Sequence, residues 1–229
     1  MRMSVILHDI SKVFFSKNRQ PISVLYKLSF EIKESEIVCI VGPSGCGKTT
    51  LLNLLAGFIF PDAGSIIDNG KSIDGPSAER AVVFQDYALF LWKTVRENIE
   101  FGLKCQGTHK TLRMEVINEY IDKFHLRGFD NYYPYQLSGC MKQRVGLARA
   151  LAIKPRILLL DEPFSSIDEQ TREILQEDLL RVHQELKPII IFVTHNIDEA
   201  IFLADTIVVL TKRPGTVKSV IKIDFPKAR

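Results

Sequence analysis

The chain alternates between short unbroken apolar runs and longer stretches with helical spacing. Ile37-Val38-Cys39-Ile40-Val41, Ile157-Leu158-Leu159-Leu160 and Ile189-Ile190-Ile191-Phe192-Val193 are runs of strand length with no polar position. That is the pattern of strands covered on both faces. Ala81-Val82-Val83-Phe84 reads the same way, and Ile207–Leu210 and Val217–Ile223 predict two further strands around a tight turn at Arg213-Pro214-Gly215. Nearer the N-terminus, Val5–Phe15 alternates unevenly and predicts a strand. Ile22–Ile32 predicts a second, with Leu28, Phe30 and Ile32 on one face, and Gly64–Gly70 a short third. Asn18-Arg19-Gln20-Pro21 and Pro61-Asp62-Ala63-Gly64 are turn signals between them.

Helical periodicity appears in separate blocks. Thr50–Ala56 is a short helix-like run. Thr94–Leu103 opens with a capping-box pair, Thr94 and Glu97. Val116, Ile117, Tyr120, Ile121 and Phe124 share one helical face, as do Leu175, Leu179, Val182 and Leu186, whose helix ends at Pro188. Val145, Ala148, Leu151 and Ala152 mark another helix, which Ser138 can cap, and Ile197–Ala204 the last. Gly107–His109 and Gly128–Pro134 read as loops. The helical stretch Tyr87–Ile153 therefore looks like an insertion into an α/β core spanning residues 1–86 and 154–229.

The residues at the ends of the apolar runs carry the chemistry. After Val41 comes Gly42-Pro43-Ser44-Gly45-Cys46-Gly47-Lys48-Thr49-Thr50, a full match to G-x-x-x-x-G-K-[ST] between a strand and a helix. Glycines let the backbone approach a phosphate, and successive N–H groups with the helix N-terminus face the anion. Lys48 is placed to reach the outer phosphates and the Thr49 hydroxyl to ligate Mg²⁺. The run ending at Leu160 leads into Asp161-Glu162-Pro163. With a phosphate loop in hand, that pair reads as a metal-holding carboxylate followed by one that orients or deprotonates water. Gln85 is by type an ordinary surface amide, though its position also suits Mg²⁺ or an attacking water. His195 is by type a structural histidine that reaches a γ-phosphate only if its strand lies beside that of Asp161. Ser138-Gly139 offers a second helix N-terminus of the kind that takes an anion, and Asp168 can cap the following helix. Phe14 or Phe15 could stack on a base, but core packing is the commoner fate of a strand aromatic.

Composition narrows the class. In 229 residues, 46% apolar and 25% charged, the net charge of +3 is too small and dispersed to argue for a nucleic-acid partner. No apolar run approaches the ~20 residues of a membrane-spanning helix, and the N-terminus lacks a secretory-signal layout. Four cysteines, Cys39, Cys46, Cys105 and Cys140, form no C-x-x-C pair and read as free thiols.

Taken in order, GPSGCGKTT, Gln85, LSGCMKQR, ILLLDEP, Ser165-Ser166-Ile167-Asp168 and His195 resemble the ATP-binding cassette (ABC) ATPases over nearly the whole chain. YPYQLSGCMKQRVGLARAL, the segment Trp92–Val95 and Arg213-Pro214-Gly215 resemble the nitrate/sulfonate/taurine-type importer subgroup. The resemblance implies an α/β P-loop NTPase core, a RecA-like mostly parallel sheet with an N-terminal antiparallel β-subdomain, and an inserted helical subdomain over 87–153. It implies ATP and Mg²⁺ as cofactors. Gly42, Pro43, Ser44, Gly45, Cys46, Gly47, Lys48, Thr49 and Thr50 would cradle the phosphates. Gln85 would sense Mg²⁺ and the membrane partner, Asp161 hold the metal with Thr49, Glu162 act as general base, and His195 meet the γ-phosphate. Phe14, rather than packing in the core, would stack on adenine. Asp168 would lie at a dimer interface, and Ser138 and Gly139 would bind the γ-phosphate held by the other subunit of a head-to-tail dimer. The implied partners are a second ATPase subunit, integral-membrane permease subunits and, indirectly, an extracytoplasmic solute-binding protein. The implied place is the cytoplasmic face of the cell membrane.

The family's signature is normally L-S-G-G, and here Cys140 replaces the second glycine. A Cβ and sulfur there are expected to crowd the γ-phosphate or to demand dihedrals poorly suited to a non-glycine residue, weakening ATP-driven closure. Two other readings stand beside the importer. One is a soluble ABC-type switch on nucleic acid or ribosomes, which usually carries two cassettes or long coiled coils. The other is a weakly catalytic regulatory cassette, raised by Cys140.

Overall fold

The computed structural model describes residues 4–165 and 167–224. Two sheets share one molecule. The first is antiparallel, in the order β2-β1-β4-β5, from β1 (Ser4–Phe15), β2 (Pro21–Lys33), β4 (Ala63–Asp68) and β5 (Lys71–Ser72). The second has the order β10-β9-β3-β8-β7-β6, from β3 (Ile37–Val41), β6 (Arg80–Val83), β7 (Ile157–Asp161), β8 (Ile189–Thr194), β9 (Thr206–Leu210) and β10 (Val217–Lys222). All its pairings are parallel except β10 with β9.

The apolar runs are continuous because both faces of the six-stranded sheet are covered. On one face Val38, Ile40, Leu159, Ile191 and Val193 pack against α1 (Lys48–Ala56) and the antiparallel sheet, with Leu51, Leu55, Val5 and Leu28 in the same cluster. On the other, Ile37, Cys39, Leu158, Leu160 and Phe192 pack against helices. Those helices are α2 (Val95–Cys105), α3 (Lys110–Lys123), α4 (Gly139–Ala152), α5 (Glu169–Leu186) and α6 (Ile197–Leu203). Truncating a fully buried Leu or Ile in either layer to Ala would cost about 2–5 kcal/mol.

The predicted faces hold. Val116, Ile117, Tyr120, Ile121 and Phe124 are buried, as are Leu175, Leu179 and Val182. The uneven alternation of β1 has a local cause. Its register shifts between Leu7 and Ile10 and again before Lys12, around Asp9 in the left-handed region (φ 51°). Ser29 fixes that irregularity by accepting from the Asp9 N–H (2.8 Å) and donating to its carboxylate (3.1 Å). Pro134, read as the end of a loop, instead opens a 3-10 turn over Pro134–Gln136. The capping box of α2 is present, with Thr94 Oγ1 accepting from the Glu97 N–H at 3.3 Å and Glu97 Oε2 from the Thr94 N–H at 2.8 Å. Ser138 caps α4 and Asp168 caps α5, accepting from the N–H groups of Met141 (3.3 Å) and Thr171 (3.1 Å).

The topology positions a site. β3 continues into α1 on one face of the sheet, while its neighbour β8 continues into α6 on the other. Where adjacent parallel strands send their connections to opposite faces, a crevice opens beyond their carboxyl ends.

Candidate functional site

The segment Gly42–Gly47 occupies that crevice. Gly45 (φ 74°) and Gly47 (φ 107°) take left-handed dihedrals, and Gly47 also admits no side chain: a Cβ there would lie 2.7 Å from Leu25 and 3.0 Å from Val24. Cys46 turns its thiol into the core and is 1% exposed, so it offers the crevice only its backbone. Lys48 is buried, and its Nζ donates to the Gly42 carbonyl at 2.9 Å, with Pro43 O at 3.5 Å.

The strands next door bring the acids. β7 pairs in parallel with β8, Asp161 opposite Val193, so the condition placed on His195 is met. Thr49 Oγ1 donates to Asp161 Oδ1 at 3.2 Å. Burial raises the Asp161 carboxyl above the usual range and the adjacent Glu162 charge adds to this, against the Thr49 bond and Lys48. Glu162 leaves the strand in the left-handed region (φ 45°), with its N–H bonded to Val193 O at 3.1 Å. Its Oε2 lies 3.2 Å from His195 Nδ1, a hydrogen bond when that nitrogen carries the proton. The two are 33 positions apart in sequence and meet because their strands are neighbours.

A cavity of about 680 Å³ opens over these groups. Ser44, Gly45, Gly47, Lys48, Thr49 and Thr50 form its floor. Glu162 and His195 stand at one wall, Phe14, Val24 and Arg213 also line it, and Phe14 is 40% exposed. Gln85 and Asp161 border a neighbouring hollow of about 560 Å³ with Phe84, Asp86 and Tyr87. Ser138, Gly139 and Asp168 do not line the cavity, and Ser166 lies outside the described residues.

The dihedral half of the expectation for Cys140 needs correcting. It sits in the first turn of α4, away from the left-handed residues, so its backbone asks nothing that a cysteine cannot give. Its half-buried side chain packs against the helical core, and burial raises its thiol pKa. A Cβ on neighbouring Gly139, by contrast, would meet the Tyr87 hydroxyl at 3.3 Å.

Two contributions were not read from the sequence. Arg149 of α4 donates to the carbonyls of Ala88 (2.7 Å) and Tyr87 (3.0 Å), both residues held in left-handed dihedrals just past Gln85. Asn98, fully buried in α2, donates to the carbonyls of Phe90, Lys93 and Thr94 and accepts from the Phe90 N–H. Together they hold the segment that carries Leu91 and Trp92 outward, 62% and 74% exposed. A long-range side chain to main chain contact leaves no periodic trace, so only the residue types hinted at it.

The residues fit Mg²⁺. Thr49 and Asp161 meet as an oxygen pair, and a buried carboxylate raised by desolvation gains from a cation beside it. Among the described residues no cluster of three or more His, Cys, Asp or Glu could hold a metal alone. Mg²⁺ needs only one or two protein oxygens beside phosphates and waters.

Fold and cavity define a P-loop nucleoside triphosphatase. Residues 25–165 match the family model described as ABC transporter. An uncharacterized ABC transporter ATP-binding protein of Methanocaldococcus jannaschii is 46% identical over 100% of this chain and 85% of its own length. The nitrate import ATP-binding protein NrtD of Synechocystis is 44% identical over 98% and 84%. The taurine import ATP-binding protein TauB of Yersinia pestis is 46% identical over 88% and 79%. A solved dimeric ATP-binding cassette in a post-hydrolysis state, bound to ADP and Pi, superposes with a TM-score of 0.84 at 29% identity, covering 97% of this chain and all of that one. The chain belongs to the ABC transporter family and is an ATP-binding cassette ATPase.

Proposed function

We propose that this chain is the ATP-hydrolysing subunit of an ABC importer, of the kind whose relatives are named for nitrate and taurine import. The observation that carries it is the convergence of Lys48, Thr49, Asp161, Glu162 and His195 from three neighbouring strand ends on one crevice. The loop amides and Lys48 hold the phosphates of ATP, and Thr50 and Ser44 complete the cradle. Thr49 and Asp161 would hold Mg²⁺, with Gln85 beside Asp161 able to join them, and the bound metal would supply neutralisation of charge on the phosphate oxygens. Phe14 supports the base.

The chemistry is ATP plus water to ADP plus phosphate. Glu162 takes a proton from the water as its oxygen bonds to the γ-phosphorus. The bond from that phosphorus to the β–γ bridging oxygen breaks, and its electron pair leaves with ADP. His195, hydrogen-bonded to Glu162, orients the carboxylate and faces the γ-phosphate side. Ser138 and Gly139 do not line this cavity. We assign them to the cavity of a second copy in a head-to-tail dimer, with Asp168 at the seam; that the solved relatives are dimeric supports the pairing of two copies. Leu91 and Trp92, held outward by Asn98 and Arg149, suit a membrane permease, so the chain would sit on the cytoplasmic face of the membrane. A solute-binding protein outside would deliver the cargo. No helix among the described residues is long and apolar enough to cross a membrane.

The test is copurification. Coexpressed with importer permease subunits, the wild-type chain should be retained by them and Trp92→Ala much less so. Mg²⁺-dependent ATPase activity should stop with a chelator. Recovery with ribosomes or RNA in place of a permease would sink the importer reading and favour the soluble switch.

A further inference from the structure

The roles assigned above leave one cation of the cavity wall unused. Arg213 lines the cavity, is exposed, and has no hydrogen bond or ion pair among the described residues. It does not hang on a loose loop. The turn between β9 and β10 is fastened to β2, with the Gly215 N–H donating to Val24 O at 2.8 Å and the Tyr26 N–H to Gly215 O at 3.0 Å. The Thr211 hydroxyl closes it internally, accepting from the Thr216 N–H at 3.0 Å and donating towards Lys212 O and Pro214 O at 3.1 and 3.2 Å. The same turn lies flush against the phosphate loop: a Cβ on Gly215 would fall 2.3 Å from the Cys46 carbonyl oxygen. Residue 215 must therefore be glycine for the contact to exist, and Arg213 is delivered two residues upstream of it.

Lys48, folded onto Gly42 O, lines the cavity together with the hydrogen-bonded pair Glu162 and His195. Arg213 belongs to the turn that packs on Val24 and Leu25 of β2 and on Cys46 of the phosphate loop; two residues before Val24, Ile22 pairs with Phe14, so the turn lies between the loop and the aromatic. A guanidinium offers only donors, in a planar fork that matches two phosphate oxygens. The exposed edge of adenine presents its own amino donor next to its acceptor and matches that fork poorly. The phosphate nearest the base is the α-phosphate. We infer that Arg213 binds the α-phosphate of the nucleotide, so that the β9–β10 turn supplies a second cationic grip besides Lys48. This rests on the reading of the cavity as the ATP site.

Equilibrium dialysis on the purified full chain tests it, with ATP, ADP and, in competition, inorganic tripolyphosphate. Arg213→Gln should weaken ATP and ADP alike by about tenfold, and tripolyphosphate by a similar factor. Arg213→Lys, which keeps the charge and loses the fork, should fall between. The thermal midpoint of both variants should match wild type, since the side chain is exposed. Lys48→Ala is the control. If it abolishes ATP binding while Arg213→Gln stays within about twofold of wild type, Arg213 merely flanks the site and the inference is wrong. If ATP weakens but tripolyphosphate does not, the contact is with base or sugar and the phosphate assignment falls. If Lys48→Ala itself binds ATP normally, the cavity reading fails first.

Discussion

The carboxyl edge of the six-stranded sheet and the start of α4 both present backbone N–H groups to solvent, and they differ in company. At the sheet edge, Lys48, Thr49, Asp161, Glu162 and His195 come from elements that share hydrogen bonds, so strand pairing sets their mutual geometry. At α4, Ser138 spends its hydroxyl on its own helix, Gly139 faces Tyr87, and neither residue lines the cavity. One region gathers five polar and charged side chains at a single crevice. The other is a capped helix N-terminus that does not line the cavity. On the proposed reading, the first binds ATP alone and the second acts only on a neighbour's ATP.

The largest effect should come from the region that is complete. Glu162→Gln keeps the size and the contact to His195 but cannot take a proton. Hydrolysis should fall by about 10²–10⁴-fold with ATP affinity retained, measured as phosphate release beside equilibrium dialysis. Turnover near wild type would remove Glu162 from the proton transfer. Next comes the incomplete region. Ser138→Asp preserves an N-cap, since Asp caps about as well as Ser, but places a negative charge where a neighbour's γ-phosphate would arrive. In the Glu162→Gln background, light scattering with ATP should show a dimer. Adding Ser138→Asp should weaken that dimer by at least about tenfold, with ATP binding by the monomer unchanged. Equal dimerisation would undo the division of labour between the two regions.

A smaller effect separates stability from chemistry at Asp161. Its carboxyl is raised in the folded chain, chiefly by burial, so the folded state holds the proton to higher pH than the unfolded one. The stability linked to this group is therefore present below the unfolded value, about 3.9, and lost as pH rises through the folded value. Asp161→Asn removes the penalty on the ionised form and can still accept from Thr49. Without nucleotide or metal, its thermal midpoint should exceed wild type at about pH 7.5 and approach it near pH 4. Each kcal/mol recovered is worth about 2–4 °C in a chain of this size. A lower midpoint at neutral pH would mean that the ionised carboxylate is held by more than Thr49 and Lys48.

The difference between the regions also explains what the sequence could disclose. Ile37–Val41, Ile157–Leu160 and Ile189–Val193 were legible because strands covered on both faces leave unbroken apolar runs, and their ends were legible because chemistry sits there in fixed order. The glycine spacing of the phosphate loop marks left-handed positions that few other residues occupy. What stayed hidden is contact across elements. Arg149 grips Tyr87 and Ala88 from 62 and 61 positions away, and Arg213 reaches the cavity through a turn whose docking depends on one glycine meeting Cys46 O. Neither leaves a period or a motif, and both look like surface cations in one dimension. Cys140 misled in the opposite sense. A motif position normally filled by glycine suggested a backbone requirement, and the helix there has none.

That correction yields the smallest expected effect and the sharpest use of it. If glycine at position 140 served dihedral freedom, Cys140→Gly would relieve strain and strengthen ATP-driven closure. In the helical first turn of α4 there is no strain to relieve. The substitution instead removes a half-buried side chain from the helical core and adds the backbone entropy of glycine, a loss of about 0.5–1 kcal/mol from the second term alone. The thermal midpoint should drop by a few degrees, while ATPase rate and ATP-dependent dimerisation of the Glu162→Gln background change by less than about twofold. A rise in dimerisation with no loss of stability would show that the sulfur, not the backbone, obstructs the neighbour's phosphate, and would return Cys140 to the site it was first suspected of crowding.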